Sequence, residues 1–185
     1  SAGNGSIMRL APVPMFFADL YPDRVTELIR YGHDSSLPTH RAPQATSACA
    51  YMTLVLAALM AGETRSTVLD PEWPNLDVLR TTVDLHPAVE EVINSGFRRN
   101  PPDIMGSGYV VRSLEAGLWA LARSDSFEDA VLAAVNLGDD ADTTGAVCGQ
   151  LAGAYWGASD VPAELLDGLA KREMIEMAAR RLIGA

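Results

Sequence analysis

An all-α fold is what the sequence predicts, and three observations support this fold class. Apolar residues in most segments recur every three or four positions, which is the period of a helix. No segment shows the alternation that is typical of a half-buried strand. The apolar stretch at 48–61 is too short to cross a bilayer and is typical of a buried core helix. A chain of 185 residues, 48% of them hydrophobic, can bury a substantial core, so we predict one domain over residues 1–185.

The predicted helices follow one another between clear boundary signals. Residues 1–21 contain Pro12 and Pro14 and should be irregular, after which Pro22 should begin a short helix that Gly32 ends. Thr39 is expected to cap the core helix, and Gly62 to close it. Beyond an exposed connection at 63–75, the patterns predict helices at 76–83, 87–95, 110–121 and 127–136, then a small-residue helix after 142 and one or two closing helices at 165–183.

Four glycines form a stripe along the small-residue helix. Gly145, Gly149, Gly153 and Gly157 recur every four residues and share one face. Each interior glycine costs about 1 kcal/mol relative to alanine, so we expect compensation from tight packing against another helix in the protein centre. A membrane helix dimer is the competing interpretation, but the apolar segment is shorter than the about 20 residues that a span requires.

Composition narrows the class of protein. The net charge is −10, and Lys171 is the only lysine among 14 basic residues, which argues against a nucleic-acid partner. Cys49 and Cys148 lie in apolar stretches and should be small buried hydrophobes, so we expect a reducing, cytoplasmic location. There is no signal-peptide pattern, and a start without methionine suggests a fragment. We expect no membrane partner.

An acidic segment directly precedes the small-residue helix. Asp139, Asp140 and Asp142 stand beside Thr143. Alternating carboxylates and a hydroxyl can converge on a hard cation such as Mg²⁺, Mn²⁺ or Ca²⁺. The alternative is a helix N-terminus at which Asp and Thr act as caps. Crowded like charges need a cation or solvent to relieve them, and spacing alone leaves both interpretations open.

Three separated motifs together resemble the ADP-ribosylglycohydrolase family, which includes the dinitrogenase reductase-activating glycohydrolases. They are Gly-Asn-Gly-Ser-Ile-Met-Arg at 3–9, Ser-Leu-Pro-Thr-His at 36–40 and Gly-Asp-Asp-Ala-Asp-Thr at 138–143, and the similarity extends to 107–110 and 126–128. The resemblance implies an orthogonally packed all-α domain with a two-metal centre of Mg²⁺ or Mn²⁺. It also implies removal of ADP-ribose from a modified protein side chain or a small acceptor.

The resemblance assigns site residues as well. Asp140 and Asp142 would be the catalytic residues, which hold the cations instead of transferring protons, and together with the Thr143 hydroxyl they would be the metal ligands. The residues expected to bind substrate are Gly3, Asn4, Gly5, Ser6, His40, Ser107 and Tyr109. Judged alone, these are weak signals, because an Asn-Gly pair is more often a turn, His40 a capping histidine and Tyr109 a packing residue. Arg9 is expected to be a structural charge partner.

The chain departs from the family pattern at its start. Family members begin with a glycine-rich helix and a Thr-Asp-Asp-Thr type segment that supplies further ligands and an acid, and none precedes Gly3. Residues 1–185 would then be the C-terminal part of the family domain: a chain cut before the glycine loop, the partner of a separate N-terminal piece, or an inactive natural remnant. We favour the first, and we expect self-association through exposed apolar surface.

Three hypotheses on function follow. The leading one is a metal-dependent hydrolase acting on an ADP-ribosylated protein or a small ADP-ribose-containing molecule. The second is a remnant that binds ADP-ribose or metal without turnover. The third is a structural protein, since the resemblance extends to lens crystallins.

Overall fold

The computed structural model describes residues 2–94 and 96–184, and within them it is helical. The α-helices of this part of the chain are α1 (Pro12–Phe16), α2 (Val25–Ser36), α3 (Pro43–Met60), α4 (Arg65–Val68), α5 (Asn75–Thr82), α6 (Pro87–Asn94), α7 (Val110–Arg123), α8 (Phe127–Val135), α9 (Ala141–Trp156), α10 (Ala163–Asp167) and α11 (Arg172–Leu182). Short 3-10 turns lie at Ile7–Arg9, Ala18–Leu20, Gly96–Arg98 and Ala158–Asp160. The prediction of an all-α fold is confirmed.

Helix α3 is the centre of the molecule. Every residue from Ala45 to Leu59 is buried, and α2, α7 and α9 pack around the helix. By length and composition α3 could span a membrane, yet 83% of it is buried inside the protein, as expected of a core helix. Gly62, at φ +94°, ends the helix as predicted. Thr39 was wrongly predicted as its cap, because the helix begins at Pro43 after an extended Ala42.

Gly32 does not end helix α2, as the sequence had suggested. The helix runs from Val25 to Ser36, and Gly32 is buried inside it. A Cβ atom added to Gly32 would lie 2.4 Å from Thr53 Oγ1 and 3.0 Å from the carbonyl oxygen of Cys49, both on α3. The glycine is needed because two helices approach closely, so it marks a packing contact rather than a boundary.

The glycine stripe of α9 packs tightly only in part. An added Cβ on Gly145 would lie 2.9 Å from Val135 of α8, as the prediction of tight helix packing requires, but one on Gly149 would meet no atom within 4 Å, and Gly157 lies beyond the helix at φ +85°. A second close approach occurs on another face of α9. There an added Cβ on Gly117 of α7 would lie 2.9 Å from Val147 and 3.3 Å from Leu151. The stripe therefore faces partly outward.

The remaining boundaries agree with the sequence to within a few residues. Helices α5, α6, α7 and α8 lie where they were predicted, and Ser126 caps α8 by accepting a hydrogen bond from the backbone N–H of Asp129. The predicted end of α6 at 95 lies outside the described residues. The segment at 1–21 is less irregular than expected, because Pro12 sits in the first turn of the short helix α1.

The two cysteines are buried and free, as predicted. Burial raises the pKa of the Cys148 thiol to about 12 and also raises the pKa of Cys49. Both side chains therefore remain uncharged near neutral pH.

The C-terminal helices leave much apolar surface exposed. Helices α10 and α11 contain no buried residue, and Leu165, Met174 and Ile183 each expose more than half of their surface. Phe16 of α1, the helix that α11 contacts, is 58% exposed. Such a surface favours association, and self-association remains a prediction.

Candidate active site

The three sequence motifs meet at one end of the helical core. The segment at 2–9 lies against the starts of α7 and α9, and Gly3 forms an isolated antiparallel bridge with Tyr109. The backbone N–H of Val110 donates to the carbonyl oxygen of Ala2 at 3.0 Å. The connection between α2 and α3 brings His40 onto the glycine loop. Segments more than a hundred residues apart are thus joined in one site.

Asn4 contacts three polar groups of this site through its side chain. Its side chain is 8% exposed, and its amide nitrogen lies 2.6 Å from Asp140 Oδ2, 2.9 Å from Ser113 Oγ and 3.1 Å from the carbonyl oxygen of Ser107. An amide can donate two hydrogen bonds at a time, so these three acceptors compete for two protons. The hydrogen bond from Asn4 lowers the pKa of the Asp140 carboxyl. Asp140 is therefore an anion at neutral pH.

The acidic turn adopts an unusual backbone. Gly138 and Asp139 both have positive φ, at +76° and +53°. The carbonyl oxygen of Gly138 comes so close to Gly106 that an added Cβ there would lie 2.1 Å from it. Gly106 is thus required for the segment before α7 to lie against the turn.

Asp140 occupies the N-cap position of α9 but does not cap the helix with its side chain. Its carboxylate turns to Asn4, while its carbonyl oxygen accepts hydrogen bonds from the backbone N–H and the hydroxyl of Thr144. Capping was the alternative interpretation of this segment, and the geometry of Asp140 does not support it.

The three predicted metal ligands lie within one turn of the chain. Asp142 is exposed in the first turn of α9, and Thr143 is 6% exposed with its Oγ1 3.9 Å from Met8 Sδ. No group of three or more acidic, histidine or cysteine side chains within residues 2–94 and 96–184 is placed to hold a metal ion. The assignment of ligands therefore stays a prediction.

His40 packs flat against the glycine loop. An added Cβ on Gly5 would lie 2.7 Å from His40 Cε1 and 2.9 Å from Nε2, so only glycine fits beneath the ring. Nδ1 lies 2.9 Å from the Thr39 hydroxyl, which accepts a hydrogen bond from Arg9 Nη2 at 2.7 Å. Since Arg9 can only donate, the proton of Thr39 is available to Nδ1, which favours the tautomer with its proton on Nε2. Arg9 thus donates to a hydroxyl, whereas it was expected to pair with a charged group.

Ser6 and Ser36 tie the glycine loop to the helices. Ser36 Oγ is buried and lies 2.9 Å from Ser6 Oγ and 2.7 Å from the carbonyl oxygen of His40. The Cys49 thiol lies 3.5 Å from Ser6 Oγ. The Ser6 hydroxyl therefore takes part in an internal network, and the exposed polar groups of the loop are those nearer Gly3 and Gly5.

Ser107 and Tyr109 border the site beside Asn4. The carbonyl oxygen of Ser107 accepts from Asn4 and from Ser113 Oγ, and its hydroxyl accepts from the backbone N–H of Tyr109 at 3.2 Å. The Tyr109 ring is half-buried against the core. Both residues lie beside the loop, and their predicted contacts with substrate stay predictions.

Sequence reasoning missed two residues that shape the site. Ser113 is fully buried on α7 and bonds to both Asn4 and Ser107. Gln150 on α9 donates to the carbonyl oxygens of Ile7 and Met8 at 3.1 Å and accepts from the backbone N–H of Ala11. In the sequence, Gln150 is a polar residue within an otherwise small and apolar stretch of α9. A lone amide in such a helix could have been recognised as a ligand of irregular backbone.

The class of protein follows from a family model that agrees with the helical core. The family model for ADP-ribosylglycohydrolase matches residues 1–185, and the chain belongs to that family. It resembles a solved structure described as an ADP-ribosylglycohydrolase-related protein complex, with 38% identity and a TM-score of 0.85 over 99% of this chain and 60% of that one.

Individual relatives are also similar along the whole chain. The ADP-ribosylarginine hydrolase Tri1 of Serratia proteamaculans is 36% identical over 98% of this chain and 46% of its own length. The Tri1 of Pseudomonas putida is 36% identical with the same coverage. The ADP-ribosyl-[dinitrogen reductase] glycohydrolase of Rhodospirillum rubrum is 29% identical over 100% of this chain and 55% of its own length. The chain thus spans about half the length of these relatives.

Proposed function

We propose that this chain provides part of a metal-dependent ADP-ribosyl hydrolase centre, which releases ADP-ribose by cleavage at the anomeric carbon. One observation carries the proposal. The 2.6 Å hydrogen bond between Asn4 and Asp140 joins the glycine loop to the acidic turn. The loop that we assign to the diphosphate and the turn that carries negative charge therefore lie side by side, which suits a substrate with a diphosphate next to a reacting sugar.

The glycine loop and His40 are suited to the diphosphate. Gly3 and Gly5 carry no side chain that would displace the His40 ring, and Nε2 of the ring lies next to both glycines. A phosphate oxygen at the edge of the loop could accept a hydrogen bond from this nitrogen. We assign Gly3, Asn4, Gly5, Ser6 and His40 to the binding of the diphosphate, directly or by shaping the loop.

The acidic turn is suited to a hard cation. Asp140, Asp142 and Thr143 offer only oxygen ligands, and Mg²⁺ or Mn²⁺ held by one or two carboxylates keeps several waters. When bound, such an ion orients the ribose and lowers the pKa of water. Because its pKa is lowered, Asp140 does not serve as a proton donor near neutral pH. Its anionic carboxylate instead stabilises positive charge that develops on the sugar.

We further propose a protein arginine as the acceptor that carries ADP-ribose. The two relatives that are 36% identical are both ADP-ribosylarginine hydrolases, which supports this linkage over the others. The modified protein would be the physiological partner. We also expect the activity to be cytoplasmic.

The test measures release of ADP-ribose from ADP-ribosylated arginine by the longest natural polypeptide that contains residues 1–185, because we assign only part of the centre to this chain. We expect Mn²⁺ or Mg²⁺ to support release, EDTA to abolish it and Asp142→Asn to remove it. Asp139→Asn is the matched control, because Asp139 is the neighbouring exposed acid and asparagine tolerates its positive φ. Equal loss of activity in both variants would contradict the assignment of Asp142.

Binding without turnover is the second candidate, and one observation favours it. Only two carboxylates and one hydroxyl of the described residues stand at the proposed metal position. Calorimetry that shows saturable binding of ADP-ribose, with no product formed from any ADP-ribosylated acceptor, would select this function over hydrolysis. Absence of both ADP-ribose and metal binding would select a structural role.

A further inference from the structure

A cavity of about 370 Å³ lies far from the candidate active site. It opens between α4, the turn at Gly96–Arg98 and the end of α7. Tyr109, in the candidate active site, directly precedes the first residue of α7, and the helix is 14 residues or about 21 Å long. The cavity is therefore at the other end of α7, and its volume falls within the range of small-ligand sites.

Three arginines line this cavity over an apolar floor. Arg65, Arg98 and Arg123 contribute the guanidinium groups, and Leu69, Phe97 and Ala122 contribute the floor. No carboxylate is among the lining residues. The convergence is unexpected in a chain with 24 acidic and 14 basic residues, where carboxylates are plentiful.

The positive charge of these arginines is largely uncompensated. Within the described part of the chain, no carboxylate oxygen lies within 4.0 Å of Arg98 or Arg123. Arg65 reaches Asp125 at 3.6 Å, but the Asp125 side chain is 95% exposed. At the start of α7, by contrast, Arg112 is neutralised by the buried Glu115 at 2.7 Å. Like charges gathered without counter-charge leave a favourable position for an anion.

The three guanidinium groups are held in place by the fold. Arg65 Nη1 donates to the carbonyl oxygen of Leu121 at 3.1 Å, and its guanidinium lies 5.7 Å from the centre of the Tyr155 ring. Arg123 Nη2 donates to the carbonyl oxygen of Arg98 at 2.9 Å, and Arg98 Nη2 to that of Leu69 at 3.3 Å. A guanidinium has five donors, so each group keeps donors for a ligand. Arg98 and Arg123 are otherwise exposed, so their remaining donors are accessible to a ligand.

We propose that this cavity binds a phosphate group, as inorganic phosphate or as the phosphate of a small molecule. A phosphate offers several oxygens and up to two negative charges, and the planar fork of arginine matches its geometry. A monocarboxylate carries one negative charge and two oxygens, so it matches three arginines less well than a phosphate does. The site is separate from the proposed hydrolase centre and does not depend on it.

The test follows arginine side-chain Nε–H signals by NMR while inorganic phosphate, AMP or ADP is added at constant ionic strength. We expect saturable shifts at Arg98 and Arg123 and none at Arg24, which is paired with Glu27 on α2. Arg98→Gln and Arg123→Gln should each weaken phosphate binding by about tenfold or more, because each removes a charged donor. Arg24→Gln, the matched control, should leave it unchanged.

Comparing the affinities for inorganic phosphate, AMP and ADP shows whether the ligand is the free ion or a larger phosphate-containing molecule. Equal affinity for inorganic phosphate and AMP identifies the free ion as the ligand, whereas tighter binding of AMP or ADP identifies a larger molecule whose remainder covers the apolar floor. Arginine signals that move for no phosphate compound would overturn the proposal. So would an Arg98→Gln, Arg123→Gln double variant that is folded by circular dichroism and binds phosphate like the unaltered chain.

Discussion

Replacing Asn4 by aspartate tests the junction between the glycine loop and the acidic turn. The side chains have nearly the same shape, so Asn4→Asp creates no cavity, but it replaces a donor by an anion 2.6 Å from Asp140 Oδ2. The lost hydrogen bond to a charged group is worth about 1.5 kcal/mol, taken at the low end because Asp140 is half-exposed. Two unit charges 4 Å apart repel by about 4 kcal/mol at an effective dielectric constant of 20. The sharing of a proton limits this repulsion, and we expect a loss of about 3–5 kcal/mol at pH 8.

The pH dependence of stability should change sign at this site. In the unaltered protein the pKa of Asp140 lies below its ordinary value, so its contribution is present above that value and is lost only as the pH falls through the lower folded pKa. In the variant, one carboxyl of the pair retains its proton, and its folded pKa lies above the unfolded value of about 3.9. The stability deficit should therefore be small near pH 4 and grow as the pH rises through the raised folded pKa.

Urea unfolding followed by circular dichroism at pH 5, 6.5 and 8 measures this deficit. The matched control is Asn100→Asp, the same change at an exposed residue, which should alter the free energy of unfolding by less than about 0.5 kcal/mol at each pH. A deficit at position 4 that is constant with pH, or no larger than the control's, would refute the contact between Asn4 and Asp140.

Three glycine substitutions test packing. Gly149→Ala should raise the free energy of unfolding by about 0.5–1 kcal/mol, since an added Cβ meets no atom within 4 Å; a loss measured by urea unfolding would contradict the outward position of the stripe. Gly117→Ala should lower it by about 1–3 kcal/mol in the same assay, because its Cβ would lie 2.9 Å from Val147; neutrality would argue against the close crossing of α7 and α9. Gly5→Ala should displace His40 and weaken ADP-ribose binding in calorimetry by about tenfold or more, whereas unchanged affinity would separate the His40 ring from the ligand.

The fold could be predicted from sequence because helical periodicity is a local property. The core helix and its closure by Gly62 both depend on residues within a few positions of one another. The errors concern contacts between helices. Gly32 and Gly117 make close approaches that no local pattern distinguishes from the α9 stripe, because a period identifies a face but not what packs against it.

The candidate site was found by resemblance rather than by local chemistry. Asn4 and Asp140 are joined across 136 positions, and nothing in either segment alone indicates the other. Thr39 shows that a local sequence signal can also mislead. Its position before an apolar run predicted a helix cap, yet its hydroxyl binds Arg9 and His40, and the helix begins four residues later.

The backbone conformation of the acidic turn places the Asp140 carboxylate at the expense of local stability. Asp139 is a non-glycine residue at φ +53°, a conformation that costs on the order of 1 kcal/mol or more. A simple helix cap needs no such residue, because an extended N-cap directs its side chain to the helix's own N–H groups. Here the two consecutive positive φ values precede Asp140, whose carboxylate binds Asn4 and leaves the N–H groups of α9 without a side-chain cap. Both the strain and the missing cap are unfavourable to α9 itself, and what the arrangement supplies in return is the hydrogen bond that holds the anion of Asp140 beside Asn4 of the glycine loop.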